Sequence, residues 1–500
     1  MSVARPEEAF ALSRTGCSAA LHDAARSDAI DLRSEHVVLH RCGDFGAATC
    51  ESRGTGAVPR RQDLRPPREV QQRPNLLRMH LAALIALAVA LIVGGCSSGS
   101  QDQTVVRFWA MGREGEVVAQ LVPEFERTHR GIHVKIQQLP WSAAHEKLLT
   151  AFAGNATPDV GQLGNTWIPE FVALHALAPL DAQVTASPAI DRHDYFAGIW
   201  DTNVVDGGLY GIPWYVDTRI LFYRRDLLAQ AGFSVPPRSW FELQQMLAAI
   251  KARAGADRYS ILLPINEFEP LLVLALQQDE PLLRDGGRWG NFESAGFRRA
   301  LRFYVEMFRH GWAPPLTDAS VSNVWNEFSR GYFCFYISGP WNIGEFKHRL
   351  PAEQQDSWMT APLPGPDGPG ASIAGGSSLV VFDTSHVKGA AWQWIEYLSN
   401  PDVQRHFHEL TGDLPPRRTA WSEGKLMQDA YSQAFRDQLE RVKPAPKVPE
   451  WERIADAMRL VAEQTVFGAL SVDEAASELD ARTNQILEKR RWMLDRKGGL

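Results

Sequence analysis

Apolar and polar residues alternate along Ile132–Leu139 (IHVKIQQL), the two-residue period of a strand with one buried face. A second β-type run covers Thr104–Ala110 (TVVRFWA). Between them Val118, Leu121, Val122 and Phe125 recur at helical spacing, which predicts one helix over Gly115–Thr128. Ala143–Ala153 reads as helix, Asp159-Val160 opens a short apolar element, and Thr166–Leu174 is again helical. This β-α-β-α alternation predicts α/β layers with crossover connections. A second α/β stretch begins near Gly211-Ile212-Pro213, with a strand over Ile220–Tyr223 and helices over Arg225–Ala231 and Ser239–Ala252, the latter capped by Ser239. A helix over Ser294–Arg309 and strands over Tyr332–Ile337 and Ser378–Phe382 follow. The tail is helical over Trp451–Thr465, then over Ala475–Arg491 behind a capping box at Ser471–Glu474. The stretch 362–370 (PLPGPDGPG) is a loop, and no internal repeat is visible.

One hydrophobic run fits none of these layers. Leu81–Val93 holds thirteen residues without a charge, short of the ~20 that a membrane-spanning helix needs. Arg73 and Arg78 precede it and Gly94-Gly95 follow, the layout of a secretory signal. Val93-Gly94-Gly95-Cys96 resembles the lipobox of bacterial lipoproteins, although Gly is less usual than Ala or Ser at the second position. The resemblance implies that Cys96 is acylated and becomes the mature N-terminus, with Ser97–Gln103 as a flexible tether. The alternatives are an uncleaved anchor or a short buried helix. Residues 1–69 contain no Trp but three of the five cysteines, Cys17, Cys42 and Cys50, at no metal-ligand spacing. They are read as an unstructured extension upstream of the true translation start. Initiation at Val70 gives a 26-residue leader, 70–95.

The mature chain from Cys96 then has 405 residues and a net charge of −9. That length suits two or three domains or one large two-lobed unit. The acidic balance argues against nucleic acid as a partner. With Cys96 acylated only Cys334 remains, so no disulfide is expected, and no His/Cys/Asp spacing suggests a metal or other cofactor. All sixteen tryptophans lie beyond residue 95, an excess of flat amphipathic rings that asks for a use beyond core filling.

Five stretches now follow one another in a recognisable order: GNATPDVGQLGNTWIPEFVALHALAPLD, GLYGIPWYVDTRILFYRRDLLAQAGF, YISGPWNIGEF, AGGSSLVVFDTSHVKGAAWQWIEYLSNPDVQ and SVDEAASELD. They resemble bacterial extracellular solute-binding proteins (family 1), and more narrowly the maltose/trehalose-binding type that serves ATP-binding-cassette (ABC) importers. The resemblance spans roughly 104–490. It implies an α/β, two-lobed periplasmic-binding-protein fold of type II, with a ligand cleft between lobes joined by a multi-crossing hinge. Crossings are expected near Tyr215–Arg219, Gly311–Thr317 and Ser378–Asp383. The N-terminal lobe would comprise 104–216, 313–317 and 383–425, and the C-terminal lobe 217–312, 318–382 and 426–500. The implied protein is a monomeric, membrane-tethered receptor in the periplasm or at the cell surface. It closes on sugar and docks on a permease.

A sugar offers hydroxyls at its edge and apolar C–H faces above and below, so its site needs aromatic rings together with carboxylates, amides or backbone groups. Trp341, in Ser338-Gly339-Pro340-Trp341-Asn342, is expected to emerge at a strand end, where open α/β sheets bind ligands. By resemblance it lies under a sugar ring. Asp217 sits among apolar strand residues, where a carboxylate is costly to bury unpartnered; it is a ligand group or a hinge residue. The resemblance adds Tyr215 beside it. Asn165 and Trp167 would enter the cleft from the first lobe, and Glu114 would hold a hydroxyl or simply complement a helix dipole. Gly375, Gly376 and Ser377 are expected to bring backbone amides close to ligand. Trp109, Trp141, His145 and Arg418 are further candidates, Trp451 is a stacking ring or a helix anchor, Asp159 reads as structural, and Trp392 and Trp394 read as core. Two rival readings stand beside this one. An exported glycoside hydrolase would draw on Glu267, Glu269 or Glu345, and a binder of glycerol-phosphate esters would draw on Arg219, Arg417 and Arg418.

Overall fold

A computed structural model describes residues 103–321 and 323–497. The extension, the leader and Cys96 lie outside the described residues. Nine strands build two sheets: β1 Thr104–Met111, β2 Ile132–Leu139, β3 Val160–Gly164, β4 Ile212–Val216, β5 Ile220–Arg224, β6 Tyr259–Leu262, β7 Phe333–Ser338, β8 Trp358–Ala361 and β9 Gly376–Val381.

The first sheet has the order β2-β1-β3-β9-β4. β1 runs parallel to β2 and β3, in a register that sets Thr104 opposite Ile132 and Met111 opposite Leu139. β9 is antiparallel to both β3 and β4. β2, at the edge, keeps the polar alternation read from its sequence. β4 (IPWYV), at the opposite edge, is nonetheless buried at every position, as a strand covered on both faces must be. One face packs Val106, Phe108 and Val381 against Trp394 and Ile395 of helix Lys388–Leu398. The other packs Met111, Leu163 and Val380 against Leu148 and Phe171. Trp394 is fully buried and Trp392 packs against the same cluster, as expected of core rings.

The second sheet has the order β8-β5-β7-β6, with β5 antiparallel to β7 and β8, and β6 parallel to β7. Its main core gathers Leu247, Leu272, Tyr304, Met458 and Leu479 from five helices. Ser239 caps the helix Trp240–Ala254 by accepting from Glu242 N, and Ser471 with Glu474 forms a complete capping box.

Several segments differ from the sequence reading. The predicted helix 115–128 breaks into Gly112–Val117, a 3-10 turn at Val118–Leu121 and Val122–Thr128. Pro123, which lacks an N–H, restarts the last piece at its first turn. The final helix ends at Ile486, and another runs from Glu488 to Lys497. Helix Glu269–Leu276 (EPLLVLAL) is missed by periodicity because all but its first residue is buried, leaving no polar face.

The lobe boundaries also move. The chain leaves the first sheet for the second at 217–219 and returns at 371–375, so β9 belongs to the first lobe rather than the second, where 318–382 was expected. An inserted β9 satisfies the facing edges of β3 and β4, which would otherwise be open. No crossing occurs near Gly311–Thr317. Trp312 O accepts from Ser260 N and Ile261 N, and Ala313 is buried in the second lobe's core, which overturns the placement of 313–317. The third passage lies between helix Pro401–Thr411, whose Phe407 packs on the first sheet, and helix Ala430–Leu439, whose Phe435 packs near Trp358 of β8. A cluster joining Phe196, Val216 and Leu414 to Ile220, Phe222 and Phe346 runs along these crossings.

Candidate functional site

A cavity of about 500 Å³ is walled by residues of both lobes. Glu114, Trp141, Asn165, Trp167, Tyr215 and Ser377 come from the first sheet and its helices. Trp341, Glu269 and Glu452 come from helix N-termini of the second lobe, and Asp217, Arg219 and Asp413 from the connecting segments.

The first-lobe wall is held by a buried hydrogen-bond chain. Gln162 Oε1 accepts from Met111 N at 2.7 Å, and its Nε2 donates to Tyr215 Oη and Ser377 Oγ at 3.1 and 3.2 Å. Ser377 Oγ in turn donates to Tyr215 Oη at 3.0 Å. Burial, then the neighbouring Glu114 and Asp413 charges, pushes the Tyr215 phenol well up. Asn165 is equally engaged: its Oδ1 accepts from Ser378 Oγ at 2.9 Å. The indoles of Trp141 and Trp167 meet edge to face at 5.8 Å, and Trp141 is 38% exposed.

Trp341 is the other exposed ring of the cavity wall, also at 38%. It opens helix Trp341–Arg349 behind Pro340. Its six-membered ring lies so close to Gly339 that a methyl group there would stand 1.9 Å from Cζ3. Only glycine gives it that seat. The Arg219 guanidinium lies over the indole, 4.9 Å from its centre.

Five carboxylates line the cavity (Glu114, Asp217, Glu269, Asp413 and Glu452) against one cation, Arg219. Arg219 is spent on two of them, pairing with Asp217 and with Glu269. Burial pushes Asp217 up to about 6 although Arg219 pulls the other way. Burial likewise raises Glu114, Glu452 and Asp413, the last well above its usual range with the Glu114 and Asp217 charges adding to the rise. Glu114 Oε2 and Glu452 Oε1 are buried without a hydrogen-bond partner among the described residues. Such oxygens favour a ligand rich in neutral donors.

Other expected site residues lie elsewhere or do different work. Arg418 does not line the cavity: it pairs with Glu440, 2.9 Å from Nη2 to Oε2, and covers Phe196. Trp109 points into the first lobe's packing, with Lys147 over its ring. His145 stands behind the wall, its Nε2 2.7 Å from Glu170 and its ring 5.0 Å from Trp167, so it braces that indole. Trp451 is 1% exposed and anchors its helix. The glycines of 375–376 serve the hinge. A Cβ on Gly375 would lie 2.1 Å from Asp217 O, and one on Gly376, at φ +121°, 2.3 Å from Tyr215 O. They let two crossing strands touch backbone to backbone, though both also border the cavity. Asp159 is structural, accepting from Arg107 N at 2.9 Å and from Ser385 Oγ at 2.8 Å.

Asp413, Glu452, Thr166 and Phe268 were not singled out from the sequence. Asp413 follows Gly412, the left-handed residue that ends helix 401–411, and Glu452 sits in the first turn of its helix. Both look locally like ordinary helix-end residues, and only the fold turns them toward the cavity. Among the described residues no group of three or more His, Cys, Asp or Glu is arranged to hold a metal ion, and no helix is long and apolar enough to cross a membrane.

The profile of the bacterial extracellular solute-binding proteins matches residues 111–405. The solved structure of the sugar-binding protein MalE from Xanthomonas citri is 59% identical, covers 78% of this chain and 99% of its own, and superimposes with a TM-score of 0.77. An uncharacterised lipoprotein of Streptomyces antibioticus is 31% identical over 403 residues, 75% of this chain and 86% of the relative. The maltodextrin-binding protein MdxE of Bacillus subtilis is 24% identical over 412 residues, 79% and 93% of the two chains.

Proposed function

Because the chain belongs to the bacterial extracellular solute-binding protein family, we propose that its cleft captures a disaccharide or short oligosaccharide of the maltose or trehalose type for an ABC import permease. Family membership places its work outside the cytoplasm. The observation that carries the sugar reading is the cavity itself. Its size falls within the ~300–1,000 Å³ of small-molecule sites, and it sets exposed indoles from both lobes among five carboxyl groups, two of them paired with Arg219. The 59% identical neighbour is a sugar-binding protein, which points the same way. Trp341 would stack on a ring face, and Asp217, Glu114, Asp413 and Glu452 would take edge hydroxyls. Binding both lobes at once favours the closed form by differential affinity. No covalent step is invoked.

The rivals fit this cavity less well. A phosphate ester would enter beside five carboxylates, with the single arginine already paired. Of its other proposed ligands, Arg417 is buried against Asp194 and Arg418 is outside. For a hydrolase, Glu345 pairs with Arg349 on its own helix and Glu269 with Arg219.

Titration of intrinsic tryptophan emission with trehalose and maltose tests the reading, and no response to either sugar would refute it. The pH dependence adds a sharper expectation. Asp217 accepts hydroxyls most strongly when ionised, and its carboxyl is pushed up to about 6. Affinity is therefore expected to fall as the pH drops through about 6, with Asp217→Asn flattening that limb. Calorimetry across this range reads it directly.

We further place the mature N-terminus at a lipidated Cys96, as Val93-Gly94-Gly95-Cys96 and the lipoprotein relative suggest. Cys96→Ser is expected to move the protein from the membrane to the soluble fraction of expressing cells. An unchanged distribution would mean that another segment holds it.

A further inference from the structure

We infer that Arg219 is a positioning residue of the cleft, a hinge-borne guanidinium that sets the plane of the Trp341 ring and the aim of the Asp217 and Glu269 carboxylates. The inference rests on the sugar-binding reading and adds a residue whose action on ligand is indirect.

Arg219 sits in the first crossing segment, between β4 and β5. Its backbone is tied to the returning segment: Arg219 N donates to Ser372 Oγ at 3.2 Å, and Ser372 Oγ donates to Arg219 O at 2.7 Å. The residue is thus pinned where two passages of the hinge run side by side. Its side chain is 12% exposed and has three partners. Nη1 meets Asp217, Nη2 reaches Glu269 Oε1 at 3.1 Å, and the flat of the guanidinium lies 4.9 Å from the Trp341 ring centre. Glu269 and Trp341 each open a helix, Glu269–Leu276 and Trp341–Arg349. One planar group therefore joins the hinge to the first residues of two second-lobe helices.

Only arginine suits this place. A guanidinium presents donors in a fixed fork and a face that stacks on an indole, whereas an ammonium is a point charge that cannot hold two carboxylates and a ring at fixed angles. Trp341 lies against Gly339 on one side, and Arg219 is the charged group that lies over its ring. The same contacts make the residue unavailable to a ligand anion.

The test is a double-mutant cycle between Arg219→Lys and Trp341→Ala, read by calorimetry with trehalose and with maltose. Arg219→Lys is expected to weaken the bound sugar about tenfold, since cation–π and fork contacts of this kind are worth roughly that factor. In the Trp341→Ala background the further loss is expected to shrink to about threefold, because the part exerted through the ring is gone while the part exerted through Asp217 and Glu269 remains. Emission of the unliganded protein gives a second reading. Arg219→Lys is expected to shift it in wild type and not in Trp341→Ala. Arg219→Gln repeats both readings if the lysine variant folds poorly. Equal losses in the two backgrounds, or unchanged affinity and emission, would overturn the inference. Should neither sugar bind wild type, the sugar reading fails, while the emission comparison still decides whether Arg219 governs the ring.

Discussion

Trp341→Ala is expected to weaken disaccharide binding by about a hundredfold, within the 2–4 kcal/mol that truncating a well-placed aromatic anchor costs. The ring is half-exposed at the first residue of its helix, so its removal opens no hole in the core. What it takes away is the apolar platform of the second lobe, leaving Trp141 and Trp167 to stack alone from the first. Closure then gains less from ligand, because differential affinity for the closed form is the only means by which sugar can shift the lobes. Trp289 provides the matched control. It is 37% exposed, stacks on Arg491 outside the cavity and is expected to change nothing when replaced by alanine. Calorimetry on the three proteins decides the matter: an affinity within about twofold of wild type for Trp341→Ala would displace the platform from this residue.

The largest loss of stability is expected from Arg417→Ala. Arg417 and Asp194 are each only 8% exposed, with Nε to Oδ2 at 2.6 Å. Arg417 Nη1 also donates to Ala189 O and Ser399 O, while Asp194 accepts from Thr419 N and Thr419 Oγ1. Removing the guanidinium leaves a buried carboxylate and two carbonyls short of donors, a loss of about 3–5 kcal/mol for a broken buried pair. Urea unfolding monitored by circular dichroism measures it, and a midpoint unchanged from wild type would contradict the account. Burial pushes the Asp194 carboxyl up, but Thr419 and Arg417 outweigh it and leave the group below its usual range. A carboxyl lowered in the folded state adds stability above its unfolded range, and that contribution is lost as the pH falls through the folded value. The wild-type protein is therefore expected to lose part of this stabilisation on acidification, and Arg417→Ala to show a shallower acid dependence.

The layers were legible wherever one face of an element stays wet. β2 showed its period because it lies at a sheet edge, and helix Ala295–Arg309 because its polar face meets solvent. Periodicity failed where burial is complete, as in helix Glu269–Leu276; β9 was read as a strand, but not its lobe, because it joins a sheet far from its sequence neighbours. The cavity was half legible. Tyr215, Asp217 and Trp341 lie in distinctive stretches, whereas Asp413 and Glu452 carry no local mark and reach the cavity through long-range packing. Arg418 stood beside Pro415 and Pro416 as if in a ligand loop, yet its charge is satisfied by Glu440 and an aromatic face. A basic residue in sequence says nothing of the acid it will meet.

The late strand β9 has a further consequence. Ser378 bonds to Asn165 at a sequence separation of 213, and β9 supplies the neighbour of both β3 and β4. The first sheet therefore cannot be finished until β9 is made, after every strand of the second sheet. Such long-range pairing folds slowly. For a member of an extracellular family, such a delay would leave the first sheet open until most of the chain has been made.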